Sequence, residues 1–309
     1  MGPAGKWIEG IDADASVEEA ARRSLEARLT AVVHWLPLAA YLPEQDIEHV
    51  HRLRVSTRRA VAALALYQDW LPSKPARWLK KRLKKIRRAA GDARDLDVLS
   101  ARLAKEYGER AAPVVKLITE RRGAVQPAIV EVAERSRRND RFVRKTAKLI
   151  ESIRPPAHKD GKPDVASNFR DWAAEQLATA ANEFRAALPD ETADLVALHQ
   201  FRIHGKAMRY TIELLASAFG PELRKEQYRV VEDLQERLGR IQDHAAAGQR
   251  SGEWADKTED AALQELLSEL RAEEGSRIDE AVHEFREWWT PDRAESLTLF
   301  PRSAWEHTT

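Results

Sequence analysis

The chain has 309 residues, 43% apolar and 33% charged, with a net charge of +1 and no cysteine. The length allows one large or two ordinary domains with a real core, and the missing cysteine excludes disulfides, thiol catalysis and cysteine-based metal sites. No apolar run approaches the ~20 residues of a membrane span, and Met1-Gly2-Pro3-Ala4-Gly5-Lys6 lacks the apolar core of a signal peptide, so a soluble cytoplasmic protein is the expectation.

Glycine and proline are sparse, and β-branched residues rarely alternate with polar ones, which predicts an all-α chain. Residues 1–15 read as a loose N-terminal arm. Ser16-Val17-Glu18-Glu19 is a capping box that opens a helix ending near Tyr41-Leu42-Pro43. A second helix runs from about Asp46 to Trp70, before Pro72-Ser73-Lys74-Pro75. A third, about 76–90, ends at Gly91. Asp95 then caps a helix to about Tyr107. Helices follow near 110–136 and 140–153, and Pro155 to Pro163 marks a linker over 155–164. The second half, 165–290, begins with a helix to about Leu188 and continues with helices near 191–218 and 222–239. Acidic helices follow between 258 and 289. Residues 291–309 read as a tail.

The net charge conceals a strong asymmetry. Residues 51–94 carry fourteen Lys/Arg against Asp69 and Asp92, while 253–295 carry fourteen Asp/Glu against five Lys/Arg. The field around the first stretch attracts polyanions.

Two stretches repeat one pattern at an offset of 148. His51 maps to His199, Arg54 to Arg202, Val55 to Ile203 and Arg58 to Lys206. On a helix, His51, Arg54 and Arg58 share an arc about 60° wide, and His199, Arg202, Lys206 and Arg209 share a similar one. Roughly opposite lie Leu53, Thr57, Ala60, Leu64 and Tyr67, matched by Phe201, Gly205, Met208, Ile212 and Leu215. The third helix adds Arg77, Lys81, Lys84 and Arg88 on one face, with Lys85 beside them, and Leu79, Leu83, Ile86 and Ala90 behind. The offset extends to Gly239 and Asp243, which follow Gly91 and Asp95 by the same distance. Lys225 and Arg229 keep the charges of Arg77 and Lys81, but Glu232 and Glu236 replace Lys84 and Arg88. Ala207 replaces Arg59, and Gln242 replaces Arg94. The second half is thus the weaker cation source. A constant offset over some forty residues predicts two pseudo-symmetric helical bundles, 16–154 and 165–290, whose cationic fronts converge on one basic groove or pore.

The motifs His51-x-x-Arg54-Val55-x-x-Arg58-Arg59, Gly91-x-x-Arg94-Asp95-x-Asp97-Val98, His199-x-x-Arg202-Ile203-x-x-Lys206-x-x-Arg209-Tyr210 with Glu213 following, and Leu238-Gly239-x-x-x-Asp243 resemble the CHAD family, the conserved-histidine α-helical domains. The resemblance covers about residues 16–290. It implies two helical bundles around a basic central pore or surface, binding of inorganic polyphosphate, and in some members targeting to polyphosphate granules. The Glu-x-Glu-x-Lys signature of the triphosphate tunnel domain often fused to such domains is absent.

Polyphosphate offers charge and no bases, so its binder needs a row of cations. Arginine supplies forked contacts and lysine a point charge. The residues expected to bind it, or phosphate or sulfate ions in its place, are His51, Arg54, Arg58, Arg59, Arg77, Lys81, Lys84, Lys85, Arg88, His199, Arg202, Lys206 and Arg209. Both histidines are expected to become cationic beside phosphate, with affinity rising as pH falls from about 8 to 6. Asp95, Asp97 and Asp243 read as caps or salt-bridge partners, not metal ligands. The nine tryptophans read as core packing or a partner surface rather than base-stacking platforms. No catalytic motif, metal site or cofactor site is indicated. The expected function is non-enzymatic polyphosphate binding. A nucleic-acid binder, an enzyme that processes phosphoryl chains, and a scaffold whose acidic C-terminal half meets a basic partner are its rivals.

Overall fold

Regular apolar stripes run through the sequence at helical spacing, and the computed structural model turns them into ten α-helices with no strand among the residues it describes, 5–156, 168–190 and 194–298. They are α1 (Val17–Tyr41), α2 (Glu48–Leu66), α3 (Ser73–Tyr107), α4 (Ala112–Arg137), α5 (Arg141–Glu151), α6 (Phe169–Ala186), α7 (Leu195–Leu215), α8 (Tyr228–Ala255), α9 (Ala261–Trp288) and α10 (Pro291–Thr298). The fold class is all-α, as the sequence predicts. Most of the predicted linker and the end of the predicted tail lie outside the described residues. Residues 291–298, predicted as tail, form α10.

Local chemistry sets several boundaries. The Ser16 side chain accepts from the Glu19 amide at 3.1 Å, as a capping box requires. Asp260 accepts from the Ala262 and Leu263 amides and opens α9. The apolar backs of α2 and α7 are buried: Leu53, Thr57, Ala60 and Tyr67, like Phe201, Ile212 and Leu215, have no exposed surface.

Two predicted helix ends do not occur. Gly91 and Gly239 lie inside α3 and α8, which run straight through them. In α3 the buried stripe Leu79, Leu83, Ile86 and Ala90 continues beyond the glycine as Ala93, Leu96, Leu99 and Leu103. Burial of such a stripe outweighs the ~1 kcal/mol that an interior glycine costs. Asp95 is consequently a mid-helix residue, not a cap. Residues 5–15 of the predicted N-terminal arm are docked rather than loose. Ile8 and Ile11 are buried, and the buried Arg28 of α1 donates to the Gly5 and Lys6 carbonyls at 2.6 and 2.5 Å.

The chain forms two compact units, each from three segments. The first comprises Met1–Val98, Thr119–Gln176 and Tyr210–Gly220. Here α1 packs on α2 and α5, and Trp172 stacks on Tyr67 with centroids 5.1 Å apart. The second comprises Leu99–Ile118, Leu177–Arg209 and Pro221–Thr309. Here α8 packs on α9, and Phe201 meets Phe184 and Trp289. Compactness therefore divides the chain differently from the contiguous halves of the sequence repeat.

Candidate functional site

In the first unit, the buried stripe of α3 fixes which side chains face outward. Arg77, Lys81, Lys84, Lys85 and Arg88 are all exposed, and among the described residues none of the five makes an ion pair. Lys80 and Arg87, half-buried beside this row, are equally without a carboxylate partner and were not picked out by the heptad-like spacing. A helix face carrying this many cations and no internal counter-charge concentrates mobile anions.

The cationic front of α2 is built differently, because its arginines meet carboxylates and carbonyls of the same unit. Arg54 pairs with Asp95 and donates to the Gly91 carbonyl at 3.0 Å. Arg94 lies 3.5 Å from Glu48. Arg59 grips Glu213 through two contacts of 2.6 and 3.1 Å, and Glu213 is only 1% exposed. The charge of Arg59 is therefore neutralised inside the unit instead of being turned to solvent. Asp97 is buried against Arg122 at 2.8 Å. Burial pushes its carboxyl up, and the guanidinium opposes that shift. His51 is half-buried next to Arg94, Arg58 and Arg54. Loss of water and these positive neighbours hold it below the ordinary histidine range, with Glu48 pulling the other way. Before an anion arrives, the neutral ring is the stable form.

In the second unit, the His199 ring meets the Gln242 side chain. Arg202 lies along Gly239, with guanidinium nitrogens 3.8 and 4.0 Å from where a Cβ would stand. Lys206 and Arg209 are half-buried. Positions 148 apart thus meet in the same pairs: His51 is flanked by Arg94 as His199 is by Gln242, and Arg54 rests on Gly91 as Arg202 does on Gly239. Four of the eight acids of α9 pair with arginines. Glu269 and Glu273 pair with Arg110, Glu284 with Arg240, and the buried Glu274 with Arg102 and His244. A mixed-charge cleft of about 730 Å³ lies beside that last cluster, lined by Arg102, Glu106, Asp233, Glu236 and Arg240 among others.

Among the described residues no group of three or more His, Asp or Glu side chains is placed to hold a metal ion, and no helix is long and apolar enough to cross a membrane. What the sequence reading passed over is a second basic stretch, 135–148, with seven Lys/Arg and one acid, Asp140. Its signal was the same one used for 51–94, a run of one sign.

Set against known proteins, the chain matches a family and two folds. The family model described as CHAD domain matches residues 22–251. An uncharacterised protein found in two strains of Mycobacterium tuberculosis is 28% identical over 208 residues, 63% of this chain. The chain spans only 38% of that relative's length. The crystal structure of the CHAD domain from the plant Ricinus communis superimposes with a TM-score of 0.70 at 24% identity, covering 91% of this chain and 96% of that one. PptA from Streptomyces chartreusis gives a TM-score of 0.62 at 18% identity, covering 89% and 99%. At these identities the two structures speak for the fold alone. With a family model covering most of its length and the linked His/Arg motifs inside that span, the chain belongs to the CHAD domain family.

Proposed function

We propose that this chain binds inorganic polyphosphate through the outward face of α3, holding it without cutting it, and that such binding underlies any association with polyphosphate granules. The observation that carries this reading is the row Arg77, Lys81, Lys84, Lys85 and Arg88, exposed and without ion pairs among the described residues. A ligand of repeated negative charge releases its condensed counterions on such a row, as nucleic acids do. The α2 front supports the row from one side: Arg54 is held against α3 by Asp95 and Gly91, and His51 is available to take a proton when phosphate supplies the compensating charge. The recurrence of these pairings at an offset of 148 favours an ancestral duplication, with the second copy the weaker contributor.

Titration calorimetry with long-chain polyphosphate at two salt concentrations tests the reading. Affinity falling by about 0.7–0.9 log units per log unit of salt for each phosphate engaged is the expected result. Salt-independent binding, or none, overturns it. Polyphosphate is expected to displace RNA at lower phosphate concentration than the reverse. Incubation with magnesium is expected to leave chain length unchanged on a gel.

A further inference from the structure

The α3 row does not end at its own edge. At ~100° per residue, Lys85 stands between the row and a second strip of α3 formed by Trp78 and Arg82. Two guanidiniums lie over the Trp78 ring, Arg82 at 5.7 Å and Arg141 of α5 at 5.4 Å from its centroid. Arg82 also reaches the Arg135 carbonyl at the end of α4, at 3.5 Å. Two arginines from two helices of the first unit therefore flank one indole, and a carbonyl of a third helix holds one of them. Burial first, and then the positive charges of Arg141 and Arg135, push the Arg82 guanidinium below its ordinary value.

The next helix extends the cluster. Arg141, Arg144, Lys145 and Lys148 are exposed along one side of α5, while Phe142, Thr146 and Leu149 anchor it. Arg137 and Arg138 are exposed just before it. Two carboxylates of α4 are engaged away from this side of α5, Glu131 with Arg135 at 2.5 Å and Glu134 with the Tyr41 hydroxyl, which leaves Asp140 in the turn and Glu151 at the far end of α5 as the acids among 138–151. The turn into α5 is made by Asn139 and Asp140, both left-handed at φ 55° and 49°. Consecutive non-glycine residues in that region are costly and persist where the surroundings over-determine them.

We propose that the Trp78 cluster and the basic side of α5 form a second polyphosphate-binding segment, so that one long chain runs from the α3 row over Lys85 onto α5. This rests on the polyphosphate reading of α3 and adds a length dependence to it. Guanidiniums occupy the Trp78 ring, so the segment takes phosphates rather than stacking bases.

The test compares the full-length chain with Arg141→Gln/Arg144→Gln/Lys145→Gln, using long-chain polyphosphate, tripolyphosphate and single-stranded RNA across a salt series. The triple variant is expected to lose about two units of salt slope for the long chain, from contacts worth ~0.7–0.9 each, and to bind tripolyphosphate as the wild type does. Arg141→Lys/Arg144→Lys, which keeps the charges, is expected to retain most of the slope, separating lost contacts from lost folding. If wild type binds and the triple variant keeps the full slope, the α5 segment is refuted and the α3 reading stands. A variant weakened toward RNA alone refutes it as well. If wild type binds no polyphosphate, the α3 reading falls first and this one with it.

Discussion

The two cation-bearing seams, α2 with α3 and α7 with α8, use matched positions for different electrostatic ends. On the outward face of α3, Arg77, Lys81, Lys84, Lys85 and Arg88 are exposed and make no ion pair among the described residues. At the matching positions in the second half, Lys84 and Arg88 give way to Glu232 and Glu236, and Arg240 of α8 is tied to Glu284 of α9. A shared backbone pattern thus carries an open charge surface in one place and a self-neutralised one in the other. Motif residues alone do not separate the two, whereas the balance of carboxylates around them does.

The sharpest way to break this comparison is to remove a cation that the structure spends internally. Arg59→Ala takes two guanidinium contacts away from Glu213, a carboxylate only 1% exposed. Such losses cost ~3–5 kcal/mol, to be read from urea unfolding. The salt slope of polyphosphate binding by the folded fraction is expected to stay at the wild-type value. Removing Glu269, whose partner Arg110 is also well exposed, is expected to cost no more than ~1 kcal/mol.

Next in size comes charge reversal on the two seams. Lys81→Glu/Lys84→Glu is expected to weaken polyphosphate binding by at least about tenfold, or ~1.4 kcal/mol, while Lys225→Glu changes it by less than about threefold. Equal losses measured by calorimetry would erase the asymmetry.

Much of this was legible in the residues. The apolar stripes gave the helices, and Arg77, Lys81, Lys84 and Arg88 stood on one face because their spacing admits no other arrangement. The fate of Arg59 was not legible, because its partner Glu213 is 154 positions away and pairing over that distance is a property of packing. Gly91 misled as a stop signal since a glycine breaks a helix only when the stripe behind it also ends, and Leu96, Leu99 and Leu103 show that it does not. The docking of residues 5–15 was hidden for a similar reason. Two isoleucines and a run of carbonyls look like loose chain until Arg28 is found beneath them.

Glycines offer a smaller test of the same comparison. At Gly205 a Cβ would meet the Gln235 amide nitrogen at 2.2 Å, while Thr57 fills the matching position in the first half. Gly205→Ala is therefore expected to destabilise by ~1–3 kcal/mol as Gln235 is displaced. At Gly91 a Cβ meets nothing within 4 Å, so Gly91→Ala is expected to stabilise α3 by ~0.5–1 kcal/mol. Thermal unfolding of the two variants should move in opposite directions.

The smallest effect is the pH dependence contributed by His51. Its native-state value lies below the ordinary one because of desolvation and the charges of Arg94, Arg58 and Arg54. The unfolded chain, with an imidazole near pKa ~6.5, therefore binds protons first as the solution is acidified. The stability tied to His51 is present above that value and is lost as pH falls through the lower native one. On the proposed reading, bound polyphosphate is expected to supply the missing counter-charge and raise the native value, so that the complex takes up protons on forming and tightens with acid. Acid is then expected to loosen the free protein and strengthen the complex through one side chain. Calorimetry near pH 6.5 in two buffers of different ionisation enthalpy measures that uptake. His51→Gln should abolish most of it, since its ring sits among Arg94, Arg58 and Arg54 in the free protein. An uptake unchanged in His51→Gln would remove that histidine from the site on the first seam.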